Sequence, residues 1–335
     1  MGWLGDLWKT VKGAEAVDLV LVPSLAIPGD PFVGEDAAVI EPDACYVELY
    51  IESLRLKTAR KFATQFQGVV YSFVTLSREG EANAQLAAIS KPEKLAALDK
   101  DSVDKVITVS KQMMGAVPWR GGNLNVELGL FAVKSGNLLT PMVDFVTQVS
   151  SAAGVSFVGQ VKPFLPLITK GMDLIAGQAG DTALEVAIDS TLQPTKSCAY
   201  AIIASPKSEL DGKKLTIDPN DRKLLLDGKP LDRAYCVFSI RRSLQKADFG
   251  EIPELKERYS ALQSAIRSND LKAARDALTA FRLTAITSPD LIPSDARRLI
   301  ERATQRVTDS FPAGGISKRD AKLVESPLSE IGLYS

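Results

Sequence analysis

Hydrophobic and polar residues alternate along much of the chain up to residue 245, with the period of two that is typical of half-buried β-strands. In the segment CYVELYIESLRL, Val47, Leu49 and Ile51 alternate with Glu48 and Glu52. Such runs, separated by turn-forming residues, are typical of an antiparallel β-sandwich, of either the C2-like or the jelly-roll-like kind. The pattern predicts strands over 16–22, 45–56, 68–77, 105–110, 123–134, 183–191, 198–205, 214–218, 223–227 and 234–243.

Turn-forming residues and one helical interval lie between these runs. The pair Asp227-Gly228 predicts a tight β-hairpin, because these residue types suit the backbone geometry of a two-residue turn. The glycines at 121 and 122 predict a turn into the strand at 123–134. Residues 81–100 are rich in Ala, Leu and Lys and predict one or two short helices. Together these features predict one β-sandwich domain over 16–245, which carries this helical interval and one insertion.

The insertion is the least polar part of the chain, residues 138–176, where only four side chains are charged. Gly154, Pro163 and Pro166 divide it into at least two helical pieces. We interpret it as an apolar helical insertion that packs against the sheet. Its uncharged run, 145–161, is too short and too polar for a constitutive membrane span. The alternative interpretation is therefore a segment that inserts into a membrane only after it is released from the sheet.

The period changes from two to that of a helix after residue 250. Three helices are predicted, over 253–268, 269–286 and 294–311, and they make a small three-helix bundle over 251–311. Pro253 suits a first helical turn, and Asn269 and Ser294 are predicted N-caps of the second and third helices. Residues 312–335 have no clear period and predict an extended tail on the surface.

The N-terminal residues 1–15 predict an amphipathic helix, with Trp3, Leu7 and Trp8 on its apolar face. One interpretation is a terminal helix that docks on the protein core through its tryptophans. The other is an interfacial membrane anchor. Docking is favoured, because the polar face carries only two lysines beside an aspartate, which is little attraction for anionic lipids. The segment has no pattern of a secretory signal.

Composition excludes several chemistries. The chain contains no histidine, so imidazole bases and histidine-containing zinc sites are excluded. The three cysteines, Cys45, Cys198 and Cys236, lie in apolar runs without metal-ligand spacing and are expected to be buried, reduced thiols. Reduced thiols indicate a cytoplasmic protein, with peripheral membrane association as the alternative. A net charge of −1 is unfavourable for nucleic-acid binding.

Two groups of carboxylates are candidates for a reactive or metal-binding site. Five aspartates fall in the loops that join the last strands and could hold calcium at one end of a C2-type sandwich; turn formation is the favoured interpretation, because neighbouring lysines and arginines offset their charge. Glu48 and Glu52 share one strand face and could form a carboxylate pair for hydrolysis, although exposed strand faces commonly look like this. We predict neither a cofactor nor a metal. The five aspartates are Asp211, Asp218, Asp221, Asp227 and Asp232.

A basic stripe on the third predicted helix is the candidate partner-binding surface. Arg298, Arg302 and Arg306 are four residues apart and therefore lie on one helix face. Such a face could meet an acidic partner or phosphates. The alternative is a solvated helix surface, because acidic residues flank the stripe.

These observations predict a non-catalytic binding or adaptor protein, whose β-sandwich and helical bundle engage a protein partner. Neither nucleic acid nor a small-molecule substrate is expected. The first alternative is a latent membrane-acting effector, because the layout of a tryptophan-rich start and an apolar insertion resembles that of bacterial toxin or immunity effectors. The second alternative is a carboxylate-dependent hydrolase.

Overall fold

The structure is a computed structural model, and it describes residues 18–56, 60–61, 64–77, 84–89, 106–134, 182–312 and 327–334. It combines antiparallel sheets with helices, which confirms the predicted α+β class. Three predicted segments lie wholly or mostly outside the described residues: the N-terminal helix at 1–15, the insertion at 138–176 and the helical part of 81–100 after residue 89.

Thirteen strands are present in the part of the chain that the structure describes. Ten of them overlap the ten predicted strands, and the ends differ by a few residues at most positions. The strands are β1 Leu19–Leu25, β2 Tyr46–Arg55, β3 Arg60–Lys61, β4 Thr64–Leu76, β5 Ala84–Ile89, β6 Val106–Pro118, β7 Leu124–Lys134, β8 Thr182–Leu192, β9 Cys198–Ala204, β10 Leu215–Ile217, β11 Leu224–Leu226, β12 Lys229–Pro230 and β13 Tyr235–Ser243.

The strands form three sheets. The first has the order β1-β9-β13-β2-β6, and the second has the order β3-β4-β7-β8 with β5 paired to β4. A small third sheet has the order β10-β11-β12. In β7 the alternating residues Leu124, Val126, Leu128 and Leu130 are all fully buried, as the period of two predicts.

The strands on either side of the predicted insertion are neighbours. β7 and β8 pair antiparallel, with Leu124 opposite Leu192 and Val133 opposite Thr182. The chain segment between them therefore leaves and returns at the same end of this strand pair. The glycines at 121 and 122 both have positive φ, 81° and 84°, where the chain passes from β6 in the first sheet to β7 in the second.

The hairpin predicted at Asp227-Gly228 is present between β11 and β12, where Leu226 pairs with Lys229. Both turn residues have positive φ, 49° and 79°, as a type I′ turn requires. By contrast, the helix predicted from residue 81 is wrong over 84–89, which forms β5. Leu86 is buried there and pairs with Val74, so pairing with β4 outweighs the helix propensity of alanine and leucine.

Four α-helices occur within the described residues: α1 Lys207–Leu210, α2 Pro253–Arg267, α3 Leu271–Thr287 and α4 Pro293–Ser310. The last three are the helices predicted after residue 250. Pro253 occupies the first turn of α2, as expected. The buried apolar positions of these helices recur every three to four residues; in α4 they are Ala296, Leu299, Ala303 and Val307.

Both predicted helix caps are wrong. Asn269 has φ 54° and ends α2 in the left-handed conformation, and Asp270 caps α3 by accepting a hydrogen bond from Ala273 N at 2.9 Å. α4 begins at Pro293, one residue before the predicted cap Ser294, and has no side-chain cap. Proline at the first helical position needs no N–H partner, which explains this start.

The chain divides into two compact units. The first comprises residues 1–41, 47–115 and 120–242, and the second comprises 42–46, 116–119 and 243–335. In the second unit, the described part of the predicted extended tail is not extended. It forms a short 3-10 turn, Leu328–Glu330, and buries three apolar side chains: Leu328, Ile331 and Leu333.

Candidate functional site

One concave surface of the described residues lies on α4. It is a groove of about 560 Å³ in the second unit. One wall is a polar face of the helix, and the other comes from the C-terminal segment 327–334, which we call the C-terminal strap. The groove is lined by Gln245, Arg298, Glu301, Arg302, Gln305, Leu333 and Tyr334.

A buried carboxylate anchors the helix and the strap to each other. Asp295, in the first turn of α4, is fully buried. Its Oδ2 accepts hydrogen bonds from the hydroxyl of Tyr46, at 2.7 Å, and from the hydroxyl of Tyr334. The Tyr46 hydroxyl also accepts a hydrogen bond from Ile292 N at 3.3 Å. Burial, followed by the hydrogen bond to Asp295, raises the pKa of both phenols, so each stays a hydrogen-bond donor at neutral pH.

The strap is held by packing as well as by this hydrogen bond. Lys246 N donates to the Tyr334 hydroxyl at 2.8 Å, and the rings of Phe249 and Tyr334 meet edge to face at 6.1 Å. The backbone of Gly250 approaches the strap so closely that an added Cβ would lie 2.6 Å from Ser329 N. A side chain at position 250 would therefore displace the strap.

Arg298 is held at the edge of the groove. Its guanidinium lies 3.4 Å from Asp295 Oδ1 and 5.9 Å from the ring centroid of Tyr334, while its side chain is 49% exposed. Asp295 Oδ1 is buried and makes no hydrogen bond, so the ion pair with Arg298 is a charge contact without hydrogen-bond geometry. The guanidinium is thus positioned by a buried carboxylate and by an aromatic ring.

The predicted basic stripe is divided by the fold. Arg298 and Arg302 line the groove, and Arg302 is exposed. Arg306 does not line it; its guanidinium donates a hydrogen bond to the hydroxyl of Tyr259 on α2 and lies 5.9 Å from that ring. The third arginine therefore joins α4 to α2, and two of the three predicted residues remain in the candidate site.

A second polar cluster lies inside the first unit, around Glu52. This carboxylate is fully buried; Oε1 accepts hydrogen bonds from Ser239 and from Arg241 Nε at 3.2 Å, and Oε2 lies 3.3 Å from Arg222. Arg222 also donates to Asp30 at 2.7 Å. The strand face that the sequence pattern treats as exposed is thus covered at Glu52, and the cluster links β2 and β13 to two loops.

This cluster lacks the access that a carboxylate pair for hydrolysis needs. Glu52 has no exposed surface, and two guanidinium groups contact its carboxylate. Glu48 is half-buried and accepts a hydrogen bond from Gln112 at 3.0 Å. The two glutamates that share a face in the sequence therefore have different surroundings.

The five loop aspartates act in turns and surface ion pairs. Asp218 accepts hydrogen bonds from Asn220 N and Asp221 N, and these bonds lower the pKa of its carboxyl. Asp227 accepts from Lys214 N at 2.9 Å, and Asp232 pairs with Arg55. Among the described residues, no group of three or more side chains is arranged to hold a metal ion.

The remaining predicted residues divide between buried and undescribed positions. Cys45, Cys198 and Cys236 are buried as expected, and none of them forms a disulfide. Trp3, Leu7 and Trp8 lie outside the described residues. Where the chain is described, no helix is both long and apolar enough to cross a membrane.

No family model, curated protein or solved structure matches this chain. The sequence patterns do not identify Tyr46, Asp295 and Tyr334, which join the walls of the groove, because nothing local marks two tyrosines that meet a carboxylate 249 and 39 positions away.

Proposed function

We propose that this protein is a non-catalytic binding or adaptor protein, and that the groove on α4 receives a segment of a protein partner. The observation that carries the proposal is that Arg298 and Arg302 line one groove together with Leu333 and Tyr334. Arginine and tyrosine are the residue types that most often dominate binding energy at protein interfaces, and a concave surface lets them exclude water around a partner side chain.

The first unit is the rigid body in this proposal, and its two large sheets form a β-sandwich. Gly68 of β4 supports this arrangement, because a Cβ added there would lie 3.1 Å from Cδ1 of Leu54 in β2, a strand of the other large sheet. Facing apolar sheets at such close approach are typical of sandwiches. The buried thiols are consistent with a cytoplasmic location.

Partner capture with a blocked groove tests the proposal. The full-length chain is used as bait in three forms: the wild type, Gln305→Trp, which places an indole in the groove, and Glu257→Trp, which places the same side chain on an exposed position of α2. Leu283→Ser is a second control, because this exposed leucine on α3 does not line the groove and could retain proteins by apolar adhesion alone.

We expect a partner that is retained by the wild type and both controls and lost with Gln305→Trp. That partner is then purified, and its binding is measured against the same four chains. Identical capture by the wild type and Gln305→Trp would contradict the proposed role of the groove. Loss of partner capture with Leu283→Ser alone would show that the binding surface lies on α3.

A further inference from the structure

We infer that α3 carries a second binding surface, and that this surface receives an amphipathic helix of a partner whose apolar stripe is flanked by acidic side chains. The surface is the solvent-exposed side of α3, which we call the outer face. This inference goes beyond the proposed function, because none of these residues lines the groove on α4. The outer face comprises Arg275, Asp276, Thr279, Arg282, Leu283 and Ile286.

Two large apolar side chains on the outer face lie in solvent. Leu283 and Ile286 are 65% and 67% exposed, and their spacing of three residues places them side by side on the helix. The opposite side of α3 supplies the buried contacts of the helix, through residues such as Leu278 and Phe281. The exposed pair therefore adds nothing to the core, and its contact with another apolar surface would be favourable.

The hydroxyl groups beside this pair are already satisfied within the helix. The hydroxyl of Thr279 donates to the carbonyl oxygen of Arg275 at 2.9 Å. The hydroxyl of Thr287, next to the outer face, donates to the carbonyl oxygen of Leu283 at 2.9 Å. A partner that covers these threonines leaves no hydroxyl donor without an acceptor, which is the main cost of burying such a group. The middle of the outer face can therefore be buried together with Leu283 and Ile286.

The charges along α3 favour an acidic partner. Lys272, Arg275 and Arg282 are positive. Asp276 is the one negative residue of the helix, so α3 carries a net charge of +2. The N-cap Asp270 engages the helix start and leaves the sum positive. Within the described part of the chain, the four charged side chains of α3 are exposed and make no ion pair or side-chain hydrogen bond. An acidic partner can therefore bind them without breaking an ion pair of the protein.

A second copy of this chain would match the outer face poorly. Arg275 and Arg282 are seven residues apart and share one edge of the face, while Asp276 lies on the other edge. Two antiparallel copies would place each arginine edge against the same edge of the other copy, where like charges repel. A parallel copy would set one aspartate against two arginines. A helix with Asp or Glu on the edge that meets the arginines has no such conflict.

An anionic membrane is the competing ligand for a basic and apolar helix face. Helices that lie in a membrane surface bury a broad apolar side, whereas the outer face exposes two large apolar side chains and contains no aromatic residue. The remaining apolar side of α3 is buried, so lipids cannot reach it. A partner helix needs only a narrow apolar stripe, and it therefore fits the outer face better than a membrane does.

Selection from a library of helices tests the inference. Each library member is a phage-displayed amphipathic helix with a fixed stripe of leucines, flanked by positions that vary among Glu, Gln and Lys. The library is selected against the full chain and, in parallel, against Leu283→Asp, which changes an exposed position and is checked for folding by circular dichroism. Helices enriched only by the wild type depend on the outer face. They are synthesised with their Glu residues intact or replaced by Lys, and binding is measured by fluorescence anisotropy.

We expect the helices that depend on Leu283 to carry Glu along one side of the leucine stripe. Arg275→Glu and Arg282→Glu should each weaken binding about fivefold, as expected when an ion pair at the rim of an interface becomes a repulsion. The Lys-substituted helices should bind the Arg282→Glu chain more tightly than the wild type, which a merely structural effect would not produce. Arg258→Glu, on an exposed position of α2, is the matched control. It should bind like the wild type, and so should Gln305→Trp.

Three results would overturn the inference. They are a selection that yields no helix dependent on Leu283, equal or tighter binding of the Lys-substituted helices by the wild type, and Leu283-dependent flotation of the chain with vesicles of phosphatidylcholine and phosphatidylserine. None of them bears on the groove, because partner capture with Gln305→Trp tests the proposed function. Unchanged capture with that variant would reject the proposed function and would leave the inference about α3 intact.

Discussion

The hydroxyl of Tyr46 donates a hydrogen bond of 2.7 Å to Oδ2 of Asp295, which lies 249 positions further along the chain. The same oxygen accepts a hydrogen bond from Tyr334. One buried carboxylate thus joins the start of β2, the first turn of α4 and the C-terminal strap within the second unit. This carboxylate, together with the packing of Phe249 against Tyr334, holds the strap beside the helix.

Replacing Asp295, the shared acceptor, should lower the free energy of unfolding more than removing the hydroxyl of either tyrosine. Tyr46→Phe removes the hydroxyl that donates to Asp295 and accepts from Ile292 N, and it should lower the free energy of unfolding by about 1–2 kcal/mol. Asp295→Ala leaves two buried hydroxyls without an acceptor and should lower it by about 3 kcal/mol. Urea unfolding followed by circular dichroism measures both. Asp276→Ala, on an exposed position of α3, is the control. Equal losses for Tyr46→Phe and Asp295→Ala would show that the carboxylate does not join the two tyrosines.

Two glutamates on one strand should differ sharply in their contribution to stability. Glu52→Gln removes the negative charge that faces Arg222 and buried Arg241, and breaking such a buried ion pair typically costs about 3–5 kcal/mol. Glu48→Gln, four residues earlier, keeps a hydrogen-bond acceptor near Gln112 and should cost about 0.5 kcal/mol or less. Thermal and urea unfolding compare the variants. A stable Glu52→Gln protein would mean that the arginines find other partners.

A single methyl group at position 250 should detach the strap. The Cβ of Gly250→Ala would lie 2.6 Å from Ser329 N and 2.7 Å from Ser329 Cα, so the backbone of the strap must move. Hydrogen exchange should then be faster at the Lys246 amide, which donates to the Tyr334 hydroxyl. Ser329→Ala removes only the hydroxyl of an exposed serine and should leave exchange unchanged. Unaltered exchange in Gly250→Ala would refute the tight contact.

The Asp30 carboxyl should contribute stability that is lost in acid. Burial alone would raise its pKa, but hydrogen bonds from the N–H groups of Phe32 and Val33, with the guanidinium of Arg222, lower it below the ordinary value of 3.8. A lowered folded-state pKa stabilises the protein above the unfolded-state pKa, and this contribution disappears as the pH falls through the folded-state pKa.

The measurement compares the wild type with Asp30→Asn across the acid range. The difference in unfolding free energy should be constant above about pH 5 and should shrink below about pH 4, because protonation of Asp30 removes its advantage over asparagine. A difference that stays constant or grows on acidification would contradict the assigned direction of the pKa shift.

The strands and helices were largely predictable because their signals are local. The alternation around Val47 and Ile51 reports one buried face, Asp227-Gly228 reports a turn with two positive φ angles, and Pro253 marks a helix start. The strand β5 was missed for the opposite reason. Its sequence, AQLAAI, favours a helix by itself, and only pairing with β4 makes it a strand.

The candidate site was predictable only in part. The spacing of Arg298, Arg302 and Arg306 correctly placed them on one helix, but the position of Tyr259 on α2 decides that Arg306 is turned away. The other wall of the groove comes from Leu333 and Tyr334. The position of Tyr334 depends on a hydrogen bond to Asp295 across 39 positions, and no periodicity encodes a contact of that kind.

The most direct test of the central claim is an NMR titration that follows the side-chain Nε–Hε signals of Arg298 and Arg302. The full chain is titrated with the purified partner that it retains in the capture experiment, and the Gln305→Trp chain is titrated with the same partner. We predict shifts of both arginine signals in the wild-type chain and none at Arg282. Unchanged signals at Arg298 and Arg302 in the wild-type chain while the partner is bound would contradict partner binding in this groove.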